Sequence, residues 1–455
     1  MARPVDLTEC SKELQLLLRL FLYQALVPRA QVEGALGPRI FQIFVSLGLL
    51  GTGEFGQDQV YAQVLLYPVA GFIMASDRQS NPDASTFEPP ADVVFPAIYE
   101  GTFRFLRVLP TSPAEDGLDL CSGSGIGAFV LGRRVNSVVS ADITTRAFHF
   151  AAFNRALNDC AGVEVVCGDL YEPVTGRTFD RIVAHPPYVP STRISKVWRD
   201  GGATGELLVR RIVEGLPSHL RPGGLFCMIS IGLDTAHSSF EQRARGWLGN
   251  KESEFDIIFA WKSEKTPRDT LRDLAERDSL SLSELQVLRE EFDRVRIVNM
   301  PYGALFIRRH PIGWDKTATT DRRKLSEETN GDDFESAFVL HDRFELSSYR
   351  ENLSDVKLLL APDLEVKVTH VVHEGQLLPA DYLFETVKPF SAMARLDQWM
   401  VPLVTSFDGQ LTGRSIFEEA KANGHLPDGF ELESFTELLV KMIDRGFLRL
   451  PPSLD

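Results

Sequence analysis

The chain has 455 residues, of which 44% are hydrophobic and 24% charged, and it carries a formal net charge of −15. That is the composition of an ordinary globular protein, with room for roughly two to four domains. No apolar run approaches the ~20 residues needed to span a bilayer, and the opening MARPVDLTECSKEL lacks a secretion-signal pattern. Five cysteines without a CxxC, and nine histidines without ligand spacing, point to neither a disulfide framework nor a metal site. A reduced, cytoplasmic protein without metal is expected. The acidic balance disfavours a broad electrostatic grip on nucleic acid, which needs clustered Lys and Arg.

In chain order, Leu14, Leu17, Leu18, Phe21 and Ala25 recur at helical spacing, and Pro28 ends the run. Two shorter helices follow, the second over Ile40 to Leu47, and Val60 to Ser76 reads as a pair of strands. Helices followed by a hairpin suggest a winged-helix-like module within residues 1–110. Residues 1–76 hold five Lys/Arg against six Asp/Glu, so a packing or partner-binding role is favoured over DNA binding. Residues 77–92 are polar and proline-rich and read as a loop, and a helix is expected over Val94 to Val108.

Residues 113–310 alternate β-branched runs with amphipathic stretches. Strands are expected at Gly117–Cys121, Ser137–Ala141, Val163–Cys167, Arg181–Ala184, Leu225–Ile231 and Asp256–Ala260, with a last pair in Arg294–Met300 and Gly303–Arg308. Such alternation marks an α/β domain with a parallel sheet covered on both faces. Residues 311–335 read as a charged linker. Residues 336–455 read as an α+β, winged-helix-like module with strands at Ala337–Leu346 and Leu364–Val372. Its last 60 residues carry ten acids and five bases, again a poor match to nucleic acid.

The strongest local signal is Leu118-Asp119-Leu120-Cys121-Ser122-Gly123-Ser124-Gly125-Ile126-Gly127, a strand running into a glycine-rich turn and then a helix. Glycines let the backbone approach a ligand closely. Taken alone, such a turn suits either a dinucleotide or S-adenosylmethionine. Asp142, followed by Ile143, ends the second strand, where a carboxylate can accept ribose hydroxyls. Gly168-Asp169-Leu170 ends the third strand, with Asp169 placed for an adenine amino group. His185-Pro186-Pro187-Tyr188-Val189-Pro190 ends the fourth. Consecutive prolines are poor sheet formers and are better explained as a rigid loop.

The order DLCSGSG, D, GDL, PPYVP resembles the class I S-adenosylmethionine-dependent methyltransferases with a Rossmann-like, seven-stranded sheet. Within them it is similar to the amino-methylating branch with an (N/D/S)PPY motif. Arg199-Asp200-Gly201-Gly202-Ala203-Thr204-Gly205, followed by Leu220-Arg221-Pro222-Gly223-Gly224, is similar to the peptide-release-factor glutamine N-methyltransferases. The likeness covers roughly residues 117–232 and not the terminal regions.

The resemblance implies S-adenosyl-L-methionine as cofactor, bound by Asp119, Cys121, Ser122, Gly123, Ser124, Gly125, Asp142, Ile143, Gly168, Asp169, Leu170 and His185. It implies a substrate-facing set of His185, Pro186, Pro187 and Tyr188, with Pro186 offering its carbonyl and Tyr188 a platform. His185 departs from the family's Asn, Asp or Ser. A neutral imidazole still has one acceptor nitrogen, and it can also act as a base. Phe87–Tyr99 is expected to cover the site, and Asp200, Gly201 and Gly202 to shape a loop over the substrate. Cys121 and Cys167 also read as small packing residues. A protein or peptide acceptor is favoured, with a nucleic-acid base, a small molecule, or a non-catalytic binding scaffold as alternatives.

Overall fold

A computed structural model describes residues 10–278 and 280–451 of the chain. Residues 1–9, part of the segment read above for a secretion signal, lie outside the described residues. The fold is mixed α/β and divides into two compact units. One comprises residues up to Leu106, Pro113–Arg221 and Leu282–Glu291; the other comprises Arg107–Ser112, Pro222–Ser281 and Phe292 onward. Among the described residues no helix is long and apolar enough to cross a membrane.

In the first unit, Ser11 caps a helix over Lys12–Leu17 that continues as a π turn over Leu18–Leu22. Helices follow at Arg29–Leu36 and Pro38–Ser46. Leu20, Val27, Val32, Phe41, Leu50 and Val60 form the core between these helices and the strands that follow. The pair of strands expected over Val60 to Ser76 is instead three. Gly56–Ala62 is followed by an antiparallel hairpin of Val64–Val69 and Phe72–Asp77.

The expected helix from Val94 begins only at Glu100 and runs to Arg107. Upstream of it, the backbone N–H groups of Val94 and Ala97 donate to the Asp77 carboxylate (2.8 Å) and the Tyr67 hydroxyl (2.7 Å). Pro96 supplies no N–H at all. Those bonds hold the segment extended.

Four parallel strands complete this unit: β1 (Ala114–Leu120), β2 (Val135–Asp142), β3 (Val163–Cys167) and β4 (Phe179–Ala184), in the order β3-β2-β1-β4. Leu118 sits between Val139 and Ile182, all three without solvent exposure. Runs buried on both faces are what a helix-covered parallel sheet requires. This order puts the C-terminal ends of β1, β2, β3 and β4 side by side, where open α/β sheets place their ligands.

The second unit holds most of β5 (Leu220–Ile231), with β6 (Phe255–Lys265), β7 (Ile297–Arg309) and β8 (Thr320–Lys324). β7 pairs antiparallel with β5 and β6, Ile307 facing both Phe226 and Ile257. The expected pair of strands over Arg294–Arg308 is thus one long strand, preceded by a helix over Leu282–Val295. β8 lies in the charged stretch read as a linker and runs parallel to β6.

Ala337–Leu346, expected as a strand, belongs to a helix over Gly331–Phe344. Phe334, Ala337 and Phe338 are buried at i, i+3 and i+4, and Asn330 with Asp333 forms a capping box at its start. Leu364–Val372 coincides with a strand over Glu365–His373, the edge of a three-stranded antiparallel sheet. Phe384, Phe407, Phe417 and Phe435 centre the C-terminal core.

Asp321, His341 and Asp444 gather closely enough to suggest a metal site. The guanidinium of Arg323 already sits among them, 2.7 Å from Asp321, 2.6 Å from Asp444 and 3.0 Å from the His341 ring. A fixed cation supplies the charge an ion would bring. Asp444 is correspondingly held down to about 2, its hydrogen bond to His341 and the charge of Arg323 outweighing burial. Arg323 is 4% exposed. Arg323→Met should therefore destabilise the protein by ~3 kcal/mol, because it leaves Asp321 and Asp444 only the longer guanidinium contacts of half-exposed Arg445, at 3.6 and 3.4 Å. Chemical denaturation checks this, and an unchanged midpoint would refute it.

Candidate active site

Fourteen of the fifteen site residues expected from the sequence, all but Gly125, line one cavity of about 520 Å³ at the ends of β1 to β4. Gly125 stands behind it as the N-cap of the helix Ile126–Leu131, at φ +87°. The loops are tied to each other through backbone. The Ser122 N–H donates to the Ala141 carbonyl (3.1 Å), and the Gly168 N–H to the Asp142 carbonyl (2.9 Å). Three loop residues adopt left-handed conformations: Cys121 (φ +57°), Gly123 (φ +55°) and Leu170 (φ +51°). For Cys121 and Leu170 this costs on the order of 1 kcal/mol each, and such strain concentrates at ligand sites. Cys167 is exposed, not packed inside as expected.

The carboxylates define the electrostatics. Asp142 accepts from the Gly123 N–H (2.9 Å) and, with its other oxygen, from Thr144 N–H (3.0 Å). Burial nevertheless raises its pKa. Asp119 is 1% exposed and accepts one N–H, from Ala128, at 2.8 Å. Burial pushes it up to about 8. Asp169 pairs with Arg211 at 2.8 Å.

Five aspartates (Asp92, Asp119, Asp142, Asp169 and Asp200) line the cavity with Arg199 and Arg211, so acidic groups are in excess there even with Asp119 protonated near pH 7. Asp119 also takes one of the helix's N-terminal N–H groups, that of Ala128, which a phosphate would use. The site thus repels a dinucleotide's pyrophosphate and suits a cationic sulfonium with an ammonium group. Gly123 leaves open space where a side chain would stand, and exposed Ile143 offers an apolar surface beside Asp142. The residues present fit S-adenosylmethionine.

Across the cavity, the ring of His185 stacks with Phe105 (centroids 5.3 Å) and Tyr188 (6.1 Å). Burial lowers its pKa to about 4, so the imidazole is neutral near pH 7 and offers one acceptor nitrogen. The loop it opens is braced from outside. Val189 N–H donates to Arg199 (3.0 Å), Gly201 N–H to Val189 (2.8 Å) and Ser191 N–H to Gly202 (2.9 Å). Asp200, 3% exposed, accepts from the N–H groups of Ser195 (2.9 Å) and Lys196 (2.8 Å). These bonds fold the loop around Asp200, which also lines the cavity.

Of the expected cover, Asp92 to Ala97 and Tyr99 line the cavity while Phe87 does not. Phe95 stacks on Trp198 at 4.1 Å, and the two form an aromatic wall. Sequence reading missed this wall, as well as Arg211. Neither carries a local motif, because each acquires its neighbours only through the fold.

Residues 96–242 match the family described as methyltransferase small domain. The central segment is thus of the class I methyltransferase type that its motifs and parallel strands indicated. A ribosomal protein uL3 glutamine methyltransferase of Bradyrhizobium diazoefficiens is 35% identical over 166 residues, 33% of this chain and 51% of that protein. A release factor glutamine methyltransferase of Thermodesulfovibrio yellowstonii is 32% identical over 121 residues, 24% of this chain and 43% of its own length. The uL3 enzyme of Bordetella pertussis is 31% identical over 161 residues, 32% of this chain and 53% of the relative. The chain spans about half the length of each relative.

Proposed function

We propose that the protein transfers a methyl group from S-adenosyl-L-methionine to the side-chain nitrogen of a protein, with a glutamine amide as the acceptor group. One observation carries the reading: a neutral His185, Pro186 and Tyr188 share one cavity with a glycine-rich loop set among three carboxylates. The similarity to glutamine methyltransferases points the same way. The donor supplies an electrophilic methyl on a sulfonium. The protein's task is to aim a nitrogen at it, so positioning provides much of the rate. His185 and the Pro186 carbonyl each accept a hydrogen bond from the acceptor nitrogen, Tyr188 packs against its plane, and as the methyl passes from sulfur to nitrogen the nitrogen releases one proton to solvent. Asp142 takes ribose hydroxyls, Asp169 and Leu170 frame the adenine, and Asp119 faces the ammonium end.

Labelled methyl donor and an acceptor-rich lysate test this. Label in a protein band, recovered as N5-methylglutamine, supports the reading; label in RNA overturns it.

His185→Ala should lower turnover ~100-fold, the scale of a lost positioning or proton-accepting group, whereas His185→Asn restores an acceptor and should retain most activity. With a pKa near 4, His185 stays neutral from pH 6 to 9 and contributes no inflection there. An inflection near 6.5 that vanishes in His185→Asn would refute the neutral-acceptor role.

A further inference from the structure

The N-terminal hairpin Val64–Val69 and Phe72–Asp77 lies outside the segment matched to the methyltransferase family, yet it makes close contacts with the donor loop. Among the described residues its strand edge pairs with no further strand. Asn154 and Asn158, one turn apart on the helix Thr145–Leu157 and its C-cap, bond that edge in place of a strand. Asn158 takes the Ile73 N–H (2.9 Å) and returns a hydrogen to the Ile73 carbonyl (2.8 Å). Asn154 takes the Ala75 N–H (2.6 Å) and donates to both the Ala75 carbonyl (2.9 Å) and the Ser124 carbonyl (3.0 Å).

Asn154 has no solvent exposure and Ser124 only 4%. On the other strand, Tyr67 is 2% exposed and its hydroxyl accepts from Ala97 N–H, with Ser76 and Ser124 beside it. Asp77, locked by two bonds of 2.8 Å from Arg146, holds Val94.

We infer that this hairpin is a built-in part of the donor site, with Tyr67 and Asn154 as positioning residues that hold Ser124 and thereby set the shape of the glycine-rich loop. The inference rests on the donor reading above. A buried amide bonded at once to a strand edge and to a loop carbonyl fixes the distance between them. Displacing either moves the loop that must fit the donor, and errors well under 1 Å in such a cradle are costly. The N-terminal segment therefore acts in ligand binding without touching the ligand.

The test is a double-mutant cycle on the full-length protein, read by calorimetric binding of S-adenosylhomocysteine. Tyr67→Phe keeps the ring packed and removes only the hydroxyl. It should weaken binding about fivefold to tenfold, the worth of one buried hydrogen bond. Ser124→Ala should weaken it to a similar degree. If Tyr67 acts in part through Ser124, the double variant loses less affinity than the product of the two single losses. In turnover the donor KM should rise while kcat stays near that of the wild type, a split that general destabilisation would not produce.

Additive effects, or a Kd for Tyr67→Phe within about twofold of wild type, overturn the clamp and leave the donor reading standing. A folded wild-type chain that binds no S-adenosylhomocysteine removes the donor reading and the clamp with it. Asn154→Asp is the independent check, since it keeps the acceptor for Ala75 N–H but loses the donor to Ser124. It should weaken binding at least as much as Tyr67→Phe, and unchanged affinity would likewise overturn the proposal.

Discussion

Gly201→Ala is expected to lose at least ~100-fold in turnover while binding S-adenosylhomocysteine within about threefold of wild type, because it disturbs the acceptor side of the cavity and leaves the donor loops alone. A Cβ at Gly201 would stand 2.5 Å from the Gly205 carbonyl oxygen and 2.8 Å from the Tyr188 Cα. Both neighbours are backbone, so neither can turn aside as a side-chain tip would. The strand-like contact between Val189 and Asp200 must therefore open, carrying Pro187 and Tyr188 with it. Gly205 is constrained from the other side, at φ +85° with a Cβ position 2.4 Å from the Tyr188 carbonyl oxygen. Turnover with labelled donor and calorimetry on the same preparation check the split. Turnover near wild type would mean the loop tolerates the shift, and parallel loss of donor binding would mean the two halves of the cavity are not separable.

The motifs legible in the sequence are those in which a short stretch does its work locally. Asp119 to Gly125, Asp142, Gly168 to Leu170 and His185 to Tyr188 each sit where a parallel strand ends, and a strand's end can be read from its β-branched run and the glycines after it. Topology then gathers them without further information. What was not legible depends on contacts between distant segments. Asn154 reads as an ordinary helical residue until Ala75 and Ser124 are beside it, although a buried Asn in mid-helix, repeated four residues on, is the kind of signal that could have prompted the question.

Val94 and Ala97 carry apolar side chains compatible with a helix, but their N–H groups are claimed by Asp77 and Tyr67. Ala337–Leu346 was misread because a mixed apolar run of that length fits either period, and Phe334, which decides for the helix, stands just before it. The charge of the cavity was partly legible. Each aspartate could be seen, but only the fold shows three of them converging on one space.

The burial of Asp119 yields the second large expected effect. Asp119 ionises near pH 8 in the folded protein, against ~3.9 in an unfolded chain. Between those values the unfolded chain has released its proton and the folded one has not. Stability contributed by the protonated form is thus full below about pH 4 and is lost as pH rises toward 8. The ceiling is ~5 kcal/mol, at ~1.4 kcal/mol per unit. Asp119→Asn keeps the shape and an acceptor for Ala128 N–H but never ionises. The variant should therefore melt several degrees above wild type at pH 8, and the gap should close toward pH 5.

The same substitution should harm binding. A cationic donor favours the ionised carboxylate, so wild-type affinity should climb with pH by up to tenfold per unit and level off above about pH 8. The variant should bind tens of times more weakly at pH 8, with little of that pH dependence. Calorimetry in two buffers of different ionisation heat would show about one proton released by wild type near pH 7 and almost none by the variant. Higher stability with undiminished affinity would place Asp119 outside the donor's reach. Lower stability would mean that the buried charge is compensated by the fold after all.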